Sequence, residues 1–171
     1  PDVDLWTYNA LKSPQSASRR FGINLGAPGD RLAADGTLWM EFPKSGDPSA
    51  SLEVQVDGEK LKWFRQHSSK VQGGRLKWVA ASGVEGVSKL RVTLPGTELS
   101  QRRYQVNLFF LEPNAGQTGR RLFDVSIQGR EVLKDLDVAR EAGGSGRSLE
   151  KRFNGVLAKD QIEISFRASR G

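Results

Sequence analysis

The strongest constraint on the fold is the run Tyr104–Leu111, with the sequence YQVNLFFL. Side chains two residues apart lie on the same face of a strand, and here both faces are largely apolar. This pattern predicts a strand buried between two layers. A second run, Leu122–Ile127, also alternates, and Gln128-Gly129 after it favours a two-residue reversal into a further strand. Together the two runs predict the middle of an antiparallel sandwich.

Strand and turn signals recur roughly every 8 to 12 residues along the rest of the chain, which is typical of a sandwich or barrel. A hairpin is predicted at Asp57-Gly58, a turn at Asn154-Gly155, and about two helical turns over Asp135–Ala142 with Gly143 as terminator. Further strands are predicted at 21–25, 37–42, 52–56, 61–64, 76–80, 90–94, 149–153 and 162–166. The expected fold class is an all-β, two-sheet antiparallel β-sandwich with one short helical turn.

The length of 171 residues fits one domain with a substantial core, and the absence of Cys excludes disulfides, thiol nucleophiles and thiolate metal sites. No apolar run reaches the roughly 18 residues of a membrane span. We expect an N-terminal extension or linker over residues 1–20, which packs on the domain through Trp6 and Tyr8. The domain is expected over 21–168 and a tail over 169–171. Because the chain opens at Pro1, we expect a piece of a longer polypeptide.

The net charge is +6, from 26 Lys and Arg against 20 Asp and Glu. The basic pairs are scattered over the sequence, whereas a nucleic-acid binder concentrates them in one patch. These pairs are Arg19-Arg20, Arg102-Arg103, Arg120-Arg121 and Lys151-Arg152. A soluble surface with a mild positive excess is favoured, and an anionic partner such as an acidic polysaccharide is the alternative. Neither a nucleic acid nor a membrane is expected as partner.

A family resemblance rests on a spaced set of residues in the central stretch. The set comprises Phe110, Glu112, Phe123, Asp124, Val125, Ile127, Gly129, Val132, Lys134, Asp135 and Asp137. Asn24-x-Gly26 followed by Asp35-Gly36-x-x-Trp39 adds an opening segment. The chain resembles the malectin family of carbohydrate-binding domains over residues 21–167. This resemblance implies a lectin-like sandwich of jelly-roll type that binds sugars without catalysis.

Carbohydrate recognition needs an aromatic platform flanked by directed donors and acceptors. The resemblance places Trp39 and Trp78 near the ligand-binding end of the fold. The expected ligand-binding residues are Trp39, Trp78, Glu85, Glu112, Asn114 and Asp160, with Arg31, His67 and Arg120 available for an acidic sugar. The family's aromatic pair falls on Asn114 and Ala115 and another loop Tyr at or near Val84, so the diglucose specificity of malectin is not expected.

The sequence offers little for an enzyme. His67 is the sole His, and a Ser neighbour in sequence does not make a catalytic pair. Carboxylates that are near each other in sequence, Asp135 with Asp137 and Glu112 with Asp124, could support glycoside hydrolysis. The resemblance instead makes Lys134–Asp137 a structural corner whose side chains bind loop backbone. A structural calcium at such oxygens is a further alternative. No cofactor is otherwise expected.

We therefore expect a non-catalytic carbohydrate-binding module of a larger secreted or surface protein, with other domains of the same polypeptide as partners. The resemblance of the Gly26–Arg31 loop and the Trp78–Gly86 run to bacterial modules suggests a bacterial parent and an extracellular, periplasmic or cell-surface location. The alternative is a protein-interaction or architectural sandwich that lacks a sugar site.

Overall fold

A computed structural model describes residues 20–44, 52–94 and 101–170. The chain folds mainly into strands, so the predicted all-β sandwich is confirmed. The strands are β1 Phe21–Leu25, β2 Arg31–Leu32, β3 Leu38–Phe42, β4 Val54–Asp57, β5 Lys62–Arg65, β6 Ser82–Glu85, β7 Lys89–Thr93, β8 Arg102–Leu111, β9 Leu122–Ile127, β10 Arg130–Leu136, β11 Ser148–Ala158 and β12 Gln161–Arg170. The helices are α1 Lys77–Ala80 and α2 Val138–Ala142, and a 3-10 turn spans Ser68–Lys70.

The main core lies between a five-stranded antiparallel sheet, in the order β10-β9-β12-β7-β4, and the antiparallel pair β8-β11. Apolar side chains from the two layers pack together because burying them removes apolar surface from water. The buried members are Leu94, Val106, Val125, Ile127, Leu136, Val138, Ala158, Ile162 and Ile164.

Two smaller sheets lie beside this core. One has the order β1-β3-β2, with β1 parallel to β3, and the other pairs β5 with β6. The backbone N–H of Gly26 donates to the carbonyl oxygen of Phe42 at 2.6 Å and fixes the loop after β1 to the end of β3. A second small core of Val71, Ala80 and Ala81 packs against Leu111. The small sheets and α1 are thereby held close to the end of β8.

Several local predictions are confirmed. Gln128 and Gly129 both have positive φ, 51° and 74°, as a type I′ hairpin between β9 and β10 requires. The helix predicted over Asp135–Ala142 is confirmed only from Val138, because Asp135 and Leu136 belong to β10. Asp137 caps α2, since its Oδ1 accepts the backbone N–H of Arg140 at 3.0 Å. Gly143 ends the helix in the left-handed region at φ 77°. The corner that leads into α2 is therefore structural.

The predicted hairpin at Asp57-Gly58 is wrong. β4 pairs with β7 in the large sheet, while β5 pairs with β6. A Cβ at position 58 would overlap the carbonyl oxygen of Gly86. Gly58 therefore allows two backbone segments to approach each other closely. In the sequence, a glycine in this role looks the same as a glycine in a hairpin turn.

Two further local predictions are corrected. The stretch predicted as a strand at 76–80 contains the single-turn helix α1. Asn154-Gly155 is a bulge inside β11, because the pairing with β8 shifts between Phe153 and Val156 and Gly155 has φ 72°. β11 consequently runs on to Ala158.

The predicted extension over residues 1–20 lies outside the described residues except for Arg20. At the other end, β12 continues to Arg170, beyond the predicted domain limit at 168. The hydroxyl of Ser169 donates to Asp135 Oδ1 at 2.8 Å, so the strand is still attached there. Within the described ranges, none of the helices has the length and apolar character needed to cross a bilayer.

Candidate functional site

One end of the sandwich brings most of the expected site residues together. We call it the site end: there β8 finishes at Leu111 opposite Ser148, the first residue of β11. β9 begins there and β12 finishes there, since Leu122 pairs with Arg170. Long antiparallel strands carry their loops to a common edge, which collects side chains that are distant in sequence.

An aromatic cluster of Trp39, Trp78 and Phe109 lies at the site end. The Trp39 ring meets Trp78 at a centroid distance of 5.7 Å and Phe109 at 5.4 Å, both edge to face. Trp39 is 8% exposed, and its Nε1 has no acceptor within the described part of the chain. Trp39 therefore contributes packing, while the half-buried Trp78 keeps part of its ring accessible.

Gly22 makes room for this cluster. It pairs with Trp39 across β1 and β3, and a Cβ on Gly22 would overlap the indole ring. Only glycine leaves the indole enough space to lie flat over the neighbouring strand. The buried Trp39 ring in turn packs against Trp78.

Arg31, in β2, lies over the accessible ring, with its Cζ 4.7 Å from the centroid of Trp78. At an exposed site such a cation–π contact is worth about 0.5–1 kcal/mol. The guanidinium remains exposed and combines a charge with the apolar ring surface. A ring that carries a carboxylate could contact both groups.

A carboxylate network of Glu85, Glu112 and Arg121 forms the second part of the site. Arg121 Nη2 donates to Glu85 Oε2 at 2.8 Å, and its Nη1 donates to Glu112 Oε2 at 3.0 Å. The side chains of Glu85 and Glu112 are only 19% and 8% exposed. The hydrogen bond to Glu85, together with the charge of Glu112, raises the pKa of Arg121 despite its partial burial, so it stays a cation.

The network also shapes the loop after β8. Glu112 Oε1 accepts the backbone N–H of Asn114 at 3.0 Å, and its carbonyl oxygen accepts the N–H of Gly146 at 2.7 Å. Glu112 thus has its acceptor atoms engaged within the protein and acts as a support. The exposed side chain of Asn114 is the amide that the loop presents to solvent.

The aromatic cluster and the network lie close together. Phe109 and Glu112 are three residues apart along the same extended segment, which corresponds to about 10 Å. The structure therefore brings together Trp39, Trp78, Arg31, Glu85, Glu112 and Asn114.

Three expected site residues lie apart from this group. Asp160 is in the turn between β11 and β12, where its carbonyl oxygen accepts the N–H of Leu94. That turn is at the opposite end of β8, since Ala158 pairs with Arg102, and the length of the strand separates Asp160 from Glu112 by roughly 30 Å. Asp160 therefore does not join the other expected site residues, although the family resemblance suggested that it would.

The other two have local roles. His67 caps the 3-10 turn, where its Nδ1 accepts the N–H of Ser69 at 3.3 Å and lies 2.7 Å from the Ser69 hydroxyl. Arg120 is exposed in a turn closed by its N–H bond to the carbonyl oxygen of Gln117. The guanidinium that joins the network belongs to the next residue, Arg121.

A polar cleft of about 300 Å³ opens beside the network at the same end. Its lining is Leu122, Asp135, Asp137, Arg140, Glu141 and Ser169. Burial disfavours ionised Asp137, but backbone N–H groups of Arg140 and Gly119 outweigh it and hold the pKa of Asp137 below its usual value. Over the described ranges no three His or acidic side chains are grouped to hold a metal ion, so the calcium idea gains no support.

Residues 89–171 match the family model of the malectin domain. The chain is malectin-like, as the spaced residues of the central stretch indicated. A probable leucine-rich repeat receptor-like serine/threonine-protein kinase of Arabidopsis thaliana is 27% identical over 164 residues, which cover 84% of this chain and 16% of that protein. The malectin-like chain thus spans about a sixth of the length of this relative.

Solved structures show the same fold at low identity. A β-glucuronidase of Bacteroides uniformis superimposes with a TM-score of 0.62 at 18% identity, over 87% of this chain and 16% of the enzyme. A plant complex of the peptide RALF23 with FER and LLG2 contains a chain with a TM-score of 0.50 at 19% identity, over 91% of this chain and 36% of that chain. These similarities concern the fold alone.

The expected bacterial origin is contradicted by the curated relatives, which are receptor-like kinases of Arabidopsis thaliana. The Gly26–Arg31 loop and the Trp78–Gly86 run, which suggested it, serve the fold. The loop accepts hydrogen bonds from Arg65 at the carbonyl oxygens of Gly26 and Ala27, and the run contains α1 and β6. Such structural segments carry no information about the source organism.

Two residues of the site were missed by the sequence reasoning. Phe109 lies on the outward side of β8, where the sequence showed only a strand with two apolar faces. Arg121 lies directly before β9 and follows Arg120, the arginine that the sequence predicted for the site. The alternation of β9 contains a signal for Arg121. It places residue 121 on the same face as Phe123, which packs against the main core, and residue 120 on the opposite face.

Proposed function

We propose that this malectin-like domain is a non-catalytic carbohydrate-binding module in which the ligand contacts Trp78 at the site end. The observation that supports this best is the half-buried Trp78, which packs against buried Trp39 and has the Arg31 guanidinium 4.7 Å from its ring centroid. A fixed aromatic surface beside a cation and an exposed amide suits the apolar face and the polar edge of a sugar ring.

The polar groups are preorganised for binding. Glu85, Glu112 and Arg121 hold one another and the loop that presents Asn114, so little ordering is needed when a ligand arrives. Sugar hydroxyls can bond to Asn114 and to the polar lining of the neighbouring cleft. We infer that an acidic sugar is preferred, because Arg31 offers its charge next to the ring.

Catalysis is disfavoured by the way the carboxylates are engaged. A glycoside hydrolase needs a protonated acid and a second carboxylate on opposite sides of the bond to be cleaved. Glu85 and Glu112 instead both accept hydrogen bonds from one side chain, Arg121, so the two carboxylates are held together and engaged within the protein.

We also propose that the domain is one part of a longer protein exposed outside the cell, within limits of about residues 21–170. The similarity to a portion of receptor-like kinases supports this placement. Single binding modules are commonly weak, and avidity then comes from linkage to neighbouring domains.

The test compares Trp78→Ala with Trp63→Ala on a glycan array followed by calorimetric titration, at low and high ionic strength. Trp63 is a suitable control because it is also surface-exposed, at 38%, but lies in β5 against Phe42. We expect Trp78→Ala to abolish binding and Trp63→Ala to leave it unchanged. Salt-sensitive binding of uronic or sulfated sugars would support the role of Arg31.

Three results would contradict the proposal. Binding that survives Trp78→Ala and is lost in Trp63→Ala would move the site to β5. No binding to any glycan at either ionic strength would favour the protein-interaction alternative. Release of product from any polysaccharide would refute the non-catalytic role.

A further inference from the structure

We propose that the binding surface continues from Trp78 along the outer face of the β8-β11 pair, and that it accommodates a chain of sugars that carry carboxylates. This inference rests on the proposed function. We call this surface the ribbon face and define it by Arg103, Gln105, Asn107, Arg152 and Asn154, all of which are exposed.

The ribbon face is polar although the opposite face of the same strands is core. Val106 is buried in the main core, and Tyr104, Leu108 and Phe110 pack against it. The residues between them therefore point outward, as the period of a strand requires. A ten-residue strand with one solvated face normally needs no ligand, so the argument depends on what this face presents.

The outward side chains form a connected row. Asn107 stands directly opposite Arg152, and Gln105 Nε2 donates to Asn154 Oδ1 at 2.7 Å. This bond leaves the Gln105 carbonyl as an acceptor and the Asn154 amino group as a donor. Paired amides held in this way can bond to vicinal sugar hydroxyls with little loss of side-chain freedom.

Arg103 extends this row across the bulge in β11. Its Nη1 lies 3.8 Å from the position that a Cβ of Gly155 would occupy, so the guanidinium reaches over the second strand. The bulge with its glycine gives this side chain a free path over the backbone. The outer surface consequently has cations at both ends of the amide row, Arg103 and Arg152.

The row is continuous with the proposed sugar site. Phe109 is the next outward residue of β8 after Asn107, and its ring contacts Trp39, which in turn supports Trp78. From Arg103 to Phe109 the strand extends about 20 Å. A ligand chain that extends from Trp78 to the ribbon face would therefore pass over Trp39 and Phe109.

The charge of the surface selects the chemistry of the ligand. Arg103, Arg152 and Arg31 supply three cations, and Glu150 is the acidic neighbour, 3.2 Å from Arg152 Nη2. Both members of that pair are exposed, at 55% and 41%, so the pair is weak and can exchange for a ligand carboxylate. A uronic acid chain fits this excess of positive charge better than a neutral one.

The experiment titrates the protein with short and long β-1,4-mannuronate oligosaccharides and with neutral β-1,4-mannan oligosaccharides of the same lengths. The variant is Arg103→Gln with Arg152→Gln, and the control is Arg130→Gln with Lys134→Gln. The control removes the same charge from exposed positions of β10, in the other sheet. Urea unfolding of each variant checks that the fold is retained.

We expect the unmodified protein to bind the long acidic chain more tightly than the short one. The Arg103 and Arg152 variant should bind the long acidic chain roughly tenfold more weakly, about 1.4 kcal/mol. It should bind the short chain nearly as well as before. The control should lose less than about twofold for either length, because distant exposed charges are screened by salt.

Equal affinity for short and long chains, or the same loss in variant and control, would refute the ribbon face and leave the Trp78 site intact. An equal loss of affinity for the short and the long acidic chain would also refute the ribbon face, since it would show only a general electrostatic attraction to the protein. Failure of every oligosaccharide to bind, or binding that is indifferent to Trp78→Ala, would instead refute the proposed function.

Discussion

The contact between Gly22 and the Trp39 ring makes a quantitative prediction about Gly22→Ala. Of three ring carbons that an added Cβ would approach, even the farthest, Cε2, would lie only 2.7 Å away. Carbon atoms normally approach to about 3.5–4.0 Å, so the ring would have to move by an ångström or more. Trp78 and Phe109 contact the same ring and restrict that movement.

We expect Gly22→Ala to destabilise the domain by about 2 kcal/mol, within the range of about 1–3 kcal/mol found for overpacked cores. For a chain of this size that corresponds to a fall of roughly 4–8 °C in Tm. In a strand without such a neighbour, the same change would be neutral or stabilise by up to about 1 kcal/mol, because alanine restricts the unfolded chain.

The assay is a double-mutant cycle with Trp39→Val, followed by urea unfolding monitored by far-UV circular dichroism. Trp39→Val alone should cost less than the about 3–5 kcal/mol of a Trp→Ala change, since Val fills part of the cavity and suits a strand. In that background Gly22→Ala should cost almost nothing. The coupling energy should thus be about 2 kcal/mol.

The reasoning fails if Gly22→Ala costs less than about 0.5 kcal/mol, or if its cost is the same with Val at position 39. Either result would show that the ring does not fill the space over Gly22. The single variant should also weaken sugar binding at Trp78, because a displaced Trp39 no longer supports that ring.

Three further predictions concern stability. Arg121→Met should lower the free energy of unfolding, measured in urea, by about 1–2 kcal/mol. This is less than for a fully buried pair, because Arg121 is 38% exposed. In the control Arg120→Met the change should stay within about 0.5 kcal/mol. Gly143→Ala should cost about 1–2 kcal/mol, since alanine is strained at φ 77°, and unchanged stability would contradict this. The backbone N–H of Asp135 and then Arg167 hold the pKa of Asp124 below its usual value. The contribution of Asp124 to stability is therefore present above about pH 4 and is lost as the pH falls through the lower folded-state pKa. In thermal melts from neutral to acid pH, the Tm of Asp124→Asn should depend less steeply on pH than that of the unmodified protein, and identical slopes would refute this.

Much of the fold was predictable because its signals are local. These signals are the alternation in β8 and β9, the turn at Gln128-Gly129 and the end of α2 at Gly143, each of which depends on residues a few positions apart. The hairpin at Asp57-Gly58 failed for the opposite reason. The glycine is required by Gly86, a residue far along the chain, and a local pattern contains no trace of that contact.

The site was predictable only in part. Glu85 and Glu112 both bond to Arg121, and Trp78 packs on Trp39, but the binding role of these residues stays a prediction. Arg121, and not the adjacent Arg120, bonds to the carboxylates because of the way two loops pack. The local sequence contains no information on that packing. Asp160 was expected at the site only from the family resemblance, and the pairing of Ala158 with Arg102 places it at the other end of β8.

The bulge at Asn154-Gly155 has a consequence for comparing this chain with its relatives. Two residues there face the single residue Gln105, so the positions that point inward change from odd-numbered before the bulge to even-numbered after it. Loss of one of the two residues in a relative would leave both faces of the strand as they are. An alignment that forbids a one-residue gap at this point would exchange interior and surface positions from Val156 onward, and would assign core substitutions to the surface.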